Sequence, residues 1–450
     1  LAELSEYSGS FVFNIPPETP HSQPVIWRNG VKYVYLSGKL ARTARAPRLG
    51  GIRPASGLHD LCRNTTPQRR PRAAERIKQG TMSECNIEAA DPDNGTYFGM
   101  PCRPESAALV LVSAPWDATA PEGSSSSYAP DAMIEESMRM DLYDALSPDE
   151  WRKGIATADI DYTIQEISQN LRQDVERLRA REEKGGGLMG GLTEDYYARK
   201  QRRIDEECRT MNDNIRSQVR GWIEKGKIAG LVGGDQSTVY GALRATAERE
   251  NGLGLLHIDA RCRMKSRHEG FEHSCASVIG DAAETIEGLG TIVHVGVRDF
   301  SATEHRMIRE SERMTMFGCG RMAQMSFEGS TWQQVCDAVV AELPDAVYVD
   351  LDISALSPDN CPHSPEADAG GLGFSQTVYL LDRIATSGRR IAGFALTGVS
   401  PASGGSIDAK IGARLLYRMC GIALRSQNND TKLNDSPHIS SPFSCSARSP

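Results

Sequence analysis

Aromatic residues make up only 6% of the 450 positions, and no apolar run approaches the ~18–20 residues that a membrane-spanning helix needs. An integral helical membrane protein is excluded on that ground. Also missing are any Cys-x-x-Cys pair and any zinc-finger spacing; the eleven cysteines are odd in number and scattered from Cys62 to Cys445. That pattern reads as free thiols in a reducing compartment, not as a disulfide framework. Positive charge is in deficit, with 51 Lys and Arg against 59 Asp and Glu, which argues against nucleic acid as the main partner. What remains is a soluble, cytoplasmic globular protein with an enzyme-type fold. Its length suits two to three average domains, or one large α/β domain with appendages.

The charge is uneven along the chain. Residues 1–81 hold thirteen Lys and Arg against five Asp and Glu, a surplus of +8 that leaves the remainder near −16. From Arg42 to Arg76 the arginines are interspersed with Pro, Gly and Ala and show no apolar periodicity, so this basic extension is expected to be disordered. The chain begins at Leu1 and its first methionine is Met82. Three readings compete for residues 1–81: upstream sequence outside the natural product, an Arg-rich organelle-targeting extension, or a basic interaction arm. The run Val31-Lys32-Tyr33-Val34-Tyr35 alternates like a strand but is too short to define a domain. Residues 426–450 are rich in Ser, Asn, Asp and Pro and read as a disordered tail.

Between these ends, over residues 82–425, apolar runs alternate with helical patterns. Residues 108–114, 228–233, 254–259, 292–297, 346–352 and 391–396 are short, rich in Val, Leu and Ile and nearly continuous, as buried parallel strands are. Residues 237–250 and 375–387 each start at a capping serine and stop at or before a glycine. This alternation predicts a three-layer αβα fold around a doubly wound, mainly parallel sheet. One insertion, about 162–225, holds two long charged helical patterns around a Gly-rich turn; it reads as a solvated helical excursion.

Ligands of such a sheet sit beyond the carboxyl ends of its strands. Four strand ends carry unusual polar residues: Gly233-Gly234-Asp235-Gln236-Ser237, Asp259-Ala260-Arg261-Cys262-Arg263, Asp350-Leu351-Asp352, and Thr397-Gly398-Val399-Ser400-Pro401. Their order and spacing resemble the GGDHS, DAHxD and DxD motifs of the arginase/agmatinase (ureohydrolase) family, in a divergent agmatinase-like form. Pro115-Trp116-Asp117, Val295-Gly296-Val297-Arg298-Asp299, Gly370-Gly371 and Gly412-Ala413-Arg414 extend the likeness over about residues 105–423.

The resemblance implies two adjacent manganese ions held by two His and four Asp, activating a hydroxide that attacks a guanidino carbon. Three of the six ligand positions are kept, as Asp259, Asp350 and Asp352. The other three are Gln236, Arg261 and Arg263, and a guanidinium has no lone pair for a metal. The family's downstream histidine aligns with Cys275, and its substrate-contacting glutamate with Gly398.

The expectation is therefore an ion-pair network in place of a metal cluster, with Arg261 and Arg263 both pinned by Asp259, Asp350 and Asp352. A surviving single-metal site, or an unconventional one built from His257 and Asp259 with His273 and His363, is the alternative at these positions. Cys262 and Cys275 read as packing thiols, and Ser124 to Ser127 as a flexible loop. No cofactor is expected, and no confident catalytic residue. The functional expectation is a pseudoenzyme of structural or regulatory role, as a trimer or hexamer or beside an active relative. The alternatives are a manganese-dependent hydrolase of guanidino or amidine C–N bonds and an anionic-surface binder acting through the basic arm.

Overall fold

The computed structural model describes residues 94–183, 193–266, 268–401 and 407–427, together with strand backbone between residues 6 and 45. The chain divides into two compact units, residues 1–79 and 80–450.

In the first unit β1 (Glu6–Tyr7), β2 (Ser10–Val12), β3 (Val25–Arg28), β4 (Val31–Leu36) and β5 (Lys39–Arg45) form an antiparallel sheet in chain order. The disorder expected of the stretch from Arg42 to Arg76 falls, apart from the end of β5, outside the described residues. The remaining parts of 1–81, and the tail after Gln427, lie outside the described residues.

The second unit is built on eight strands: β6 (Leu109–Ala114), β7 (Ile155–Thr157), β8 (Ile228–Gly233), β9 (Leu253–Ile258), β10 (Leu289–Val295), β11 (Met314–Phe317), β12 (Ala346–Asp352) and β13 (Arg390–Thr397). Their order is β11-β10-β9-β12-β13-β8-β6-β7, and every pairing is parallel. Alternate side chains feed opposite faces. Leu109 and Leu111 join the cluster under helices Ala129–Ser137, Trp332–Ala341, Phe374–Thr386 and Ile407–Ser426. Val110 and Val112 join the one under Thr163–Glu183, Glu194–Glu224, Val239–Ala247 and Val278–Thr285. Burial on both faces is why the central strands read as continuous apolar runs. The two strands missed in the sequence, β7 and β11, are the short sheet edges. No helix among the described residues is long and apolar enough to cross a membrane.

The insertion forms the two expected helices, Thr163–Glu183 and Glu194–Glu224, the second capped where the Thr193 hydroxyl accepts from Tyr196 N–H. It is not a solvated excursion. Leu171, Val175, Ile204, Cys208, Met211, Ile215 and Val219 bury a full face against the sheet layer. Arg179 then reaches the strand ends, donating to the Ala120 carbonyl at 2.9 Å, the Thr119 carbonyl at 3.0 Å and Glu269 at 2.7 Å. Among the described cysteines seven are free, while Cys102 is disulfide-bonded, which corrects the reading of all eleven as free thiols.

Candidate functional site

Strands β8, β9, β12 and β13 are neighbours in the sheet, so their carboxyl ends bring the four polar segments together. A tight loop fixes the first. The Gly234 N–H donates to the Ala114 carbonyl and the Asp235 N–H to the Trp116 carbonyl, each at 2.8 Å. A Cβ on Gly234 would run into the Trp116 carbonyl, so only glycine fits this approach. Asp235 turns back to cap the next turn, accepting from the Ser237 N–H at 2.9 Å and hydroxyl at 2.5 Å. Burial, reinforced by nearby Asp117, pushes the Asp235 carboxyl up to about 7 against the pull of Ser237 and Arg263.

At the centre lies Arg263, with a side chain only 1% exposed. Its Nε donates to Asp259 Oδ2 at 2.7 Å. Its two Nη groups meet both oxygens of Glu366, at 2.8 and 2.7 Å, and Nη2 lies 3.5 Å from Asp352. Burial works against the guanidinium charge, but Asp259, Glu366 and Asp352 outweigh it and hold Arg263 well above its ordinary range. Asp352 is held above the usual carboxylate range by burial and by the charge of Asp259, with Arg263 and Ser354 opposing. Asp259 also accepts from the Ser354 hydroxyl at 3.1 Å and the Arg261 N–H at 3.0 Å.

Asp350 sits apart from this knot. Its Oδ2 takes Gln236 Nε2 at 2.6 Å and His257 Nδ1 at 2.8 Å. His257 Nε2 faces the Arg261 carbonyl at 3.1 Å. Both ring nitrogens therefore face pure acceptors, an arrangement satisfied only when both carry protons. Burial alone would lower the His257 pKa, yet Asp350 and Asp259 raise it above the ordinary value. His294 stands edge-on to His257, 5.2 Å between centroids; burial, then the neighbouring His257, drive it well below its usual value.

The joint pinning of both arginines is corrected. Arg263 meets Asp259 and Asp352 but not Asp350, while Arg261 turns outward to Asp299 and, at 3.1 Å, to Glu366, with 29% of its side chain exposed. The cause is backbone. Arg263 has φ 58°, a left-handed conformation rare for a residue with a side chain, so it does not project alongside Arg261 as two strand residues in alternation would. Its carbonyl holds that turn by accepting from the Ile279 and Gly280 N–H groups at 3.0 and 3.2 Å.

The unconventional histidine site is not assembled. His273 lies 3.6 Å from Asp281, and His363 Nδ1 donates to Asp408 at 2.8 Å. Cys262 and Cys275 are buried and burial raises both thiols, as packing residues require; Cys275 Sγ donates to the Thr119 carbonyl at 3.3 Å. The serine run is ordered, not a loose loop: Ser126 and Ser127 are buried, and Ser125 donates to the Pro401 carbonyl at 2.7 Å. Glu366 was missed entirely. It sits in the aperiodic segment His363-Ser364-Pro365-Glu366, where neither spacing nor composition marks it.

Gly398 is more than a lost glutamate. Its φ is +73°, and a Cβ there would overlap the Asp352 carboxylate. Gly398→Ala is therefore expected to destabilise the protein by about 2–4 kcal/mol, from left-handed strain plus overlap, read as a lower urea midpoint with an unchanged slope.

A cleft of about 530 Å³ opens above these groups, lined by Thr119, Arg179, Arg261, Arg263, Cys275 and Glu366 among others. The residues present do not fit two adjacent divalent ions. A guanidinium bonds to Asp259 and lies close to Asp352, the His257 imidazole and the Gln236 amide take one oxygen of Asp350, and among the oxygens of these three carboxylates only Asp350 Oδ1 lacks a partner. Among the described residues no group of three or more His, Cys, Asp or Glu is placed to hold a metal.

An eight-stranded parallel sheet with these motifs on four neighbouring strand ends defines a ureohydrolase-like αβα protein. The sequence model of the arginase family matches residues 107–421, and the chain belongs to that family. It is 27% identical over 209 residues to an N(1)-aminopropylagmatine ureohydrolase of Thermus thermophilus, covering 46% of this chain and 67% of that protein. It is also 27% identical over 193 residues to an agmatinase of Bacillus subtilis, covering 42% and 61%. Among solved structures, proclavaminate amidino hydrolase of Streptomyces clavuligerus superposes with a TM-score of 0.55 at 17% identity, over 74% of this chain and 97% of its own. The agmatine ureohydrolase of Thermoplasma volcanium gives 0.51 at 19%, over 72% and 92%. At those identities the structures establish the fold alone.

Proposed function

We propose that this chain is a ureohydrolase-fold pseudoenzyme, with a structural or regulatory role and no dinuclear manganese centre. The observation that carries the reading is Arg263: its guanidinium is buried between Asp259 and Asp352 and doubly bonded to Glu366. Protonated His257 beside Asp350 supplies a second fixed cation. Two organic cations thus stand among carboxylates that in the family's motif face two metals, and neither can generate a hydroxide. By the same resemblance the protein assembles as a homo-oligomer, or with an active relative.

The competing reading is a manganese-dependent hydrolase of a guanidino or amidine group. It is supported by the retained Asp259, Asp350 and Asp352 and by relatives named as ureohydrolase and agmatinase. The two separate in one assay. The purified chain is expected to release no urea above background from arginine, agmatine or an aminopropylated agmatine, with or without manganese. Manganese-dependent turnover that disappears in Asp350→Ala would establish the hydrolase instead.

A further inference from the structure

Strand β11 is one of the two edges of the eight-stranded sheet and pairs with β10 alone. The Ile292 N–H donates to the Arg313 carbonyl at 2.8 Å and the Gly296 N–H to the Phe317 carbonyl at 3.1 Å. Residues 313, 315 and 317 thus turn their backbone groups toward β10, and Met314 and Met316 turn theirs outward. One outward group is already used, since the Met316 carbonyl accepts from Arg321 Nη1 at 2.9 Å. The edge is short, at four residues, but Met314-Thr315-Met316-Phe317 carries no Lys, Pro or bulge, the other devices that blunt an edge.

Along this edge runs a groove of about 580 Å³, bounded by helix Ala302–Glu310 and the first turn of helix Cys319–Phe327. Its walls include apolar Phe300, Ile308, Met314 and Met316. Its charges are of one sign: Arg298, Arg309 and Arg321 line it, and no carboxylate does. Glu342, which accepts from the Thr315 hydroxyl at 3.4 Å, is not among the lining residues. Arg298 is committed to the carbonyls of Ser354 and Asp368 at 2.8 and 3.0 Å, and Arg321 lies 4.2 Å over the Phe317 ring. Arg309 is exposed and has no carboxylate partner among the described residues. In a chain of net charge −8, a groove lined by three arginines and His305 with no carboxylate is a local inversion of sign.

We propose that this edge docks an extended acidic segment of a partner protein, added as a strand beside β11. Its backbone would pair with the outward groups of Met314 and the Met316 N–H, its apolar side chains would enter the groove, and its carboxylates would meet Arg309 and Arg321.

The test uses the full chain and a fluorescent ten-residue peptide alternating Glu with Val or Ile, followed by anisotropy. Expected are saturable binding that weakens as salt rises, and at least a tenfold loss when Lys replaces Glu in the peptide. The Arg309→Glu, Arg321→Glu double variant should lose a similar factor. A peptide N-methylated at alternate residues leaves the protein untouched and should lose binding, whichever protein variants fold. The proposal is overturned by an acidic peptide that does not bind, by binding indifferent to its charge, or by full binding of the N-methylated form. It is equally overturned if the wild type self-associates and the double variant becomes monomeric, because a second copy then occupies the edge.

Discussion

Arg263→Ala is expected to lose about 3–5 kcal/mol of folding stability, the effect of stripping the partner from buried charges. The variant leaves Asp259, Asp352 and Glu366 facing one another without their shared cation. Arg261→Ala is expected to cost about 0–1 kcal/mol, because its pair with Asp299 is half-exposed and screened by water and Glu366 keeps Arg263 as its partner. Sequence alone treats these two arginines alike, so the contrast between them is specific to the geometry. A pH dependence accompanies it. Without Arg263 the folded-state pKa of Asp352, already raised, rises further, and a carboxyl raised in the folded state contributes stability at low pH that is lost as pH increases. The deficit of Arg263→Ala relative to wild type should therefore be larger at pH 8 than at pH 5. Urea melts at both values measure it. Equal losses for Arg261→Ala and Arg263→Ala would remove the buried ion-pair account.

Restoring Gln236→His, Arg261→His and Arg263→Asp together rebuilds the six-ligand set that the family resemblance implies. The variant is expected to bind manganese where the wild type does not, seen by isothermal titration calorimetry. Urea release should stay at background, because Cys275 is buried against the Thr119 carbonyl and the backbone at Gly398 leaves no room for a glutamate side chain. Arg263→Asp must also tolerate φ 58°, which Asp does more readily than most residues. A folded triple variant that binds no manganese would mean that the loops, beyond the three side chains, have moved away from a metal-binding arrangement.

Much of this architecture is legible in the chain because buried parallel strands leave continuous apolar runs and put their polar ends in a fixed order. Residues 228–233 and 346–352 read from sequence coincide with β8 and β12. Edge strands β7 and β11 do not announce themselves, being three and four residues long. At the site, the carboxylates Asp259, Asp350 and Asp352 are visible as motif remnants, and so are the substitutions at Gln236, Arg261 and Arg263. Which carboxylate each cation meets is not visible. That depends on the left-handed turn at Arg263, on Glu366 arriving from an aperiodic loop, and on His257, whose neighbour Asp350 comes from another strand. The insertion misled for a different reason: its charged composition masks an apolar stripe from Leu171 to Val219 that closes one side of the sheet.

The central claim is that Arg263 and His257 fill, as fixed cations, the places that the family's motif gives to metals. Elemental analysis by mass spectrometry of the full chain, made in manganese-supplemented medium and purified without chelator, addresses it directly. The result predicted is well below one equivalent of any divalent transition metal per chain. About two equivalents, retained in the wild type and lost in Asp350→Ala, would contradict it.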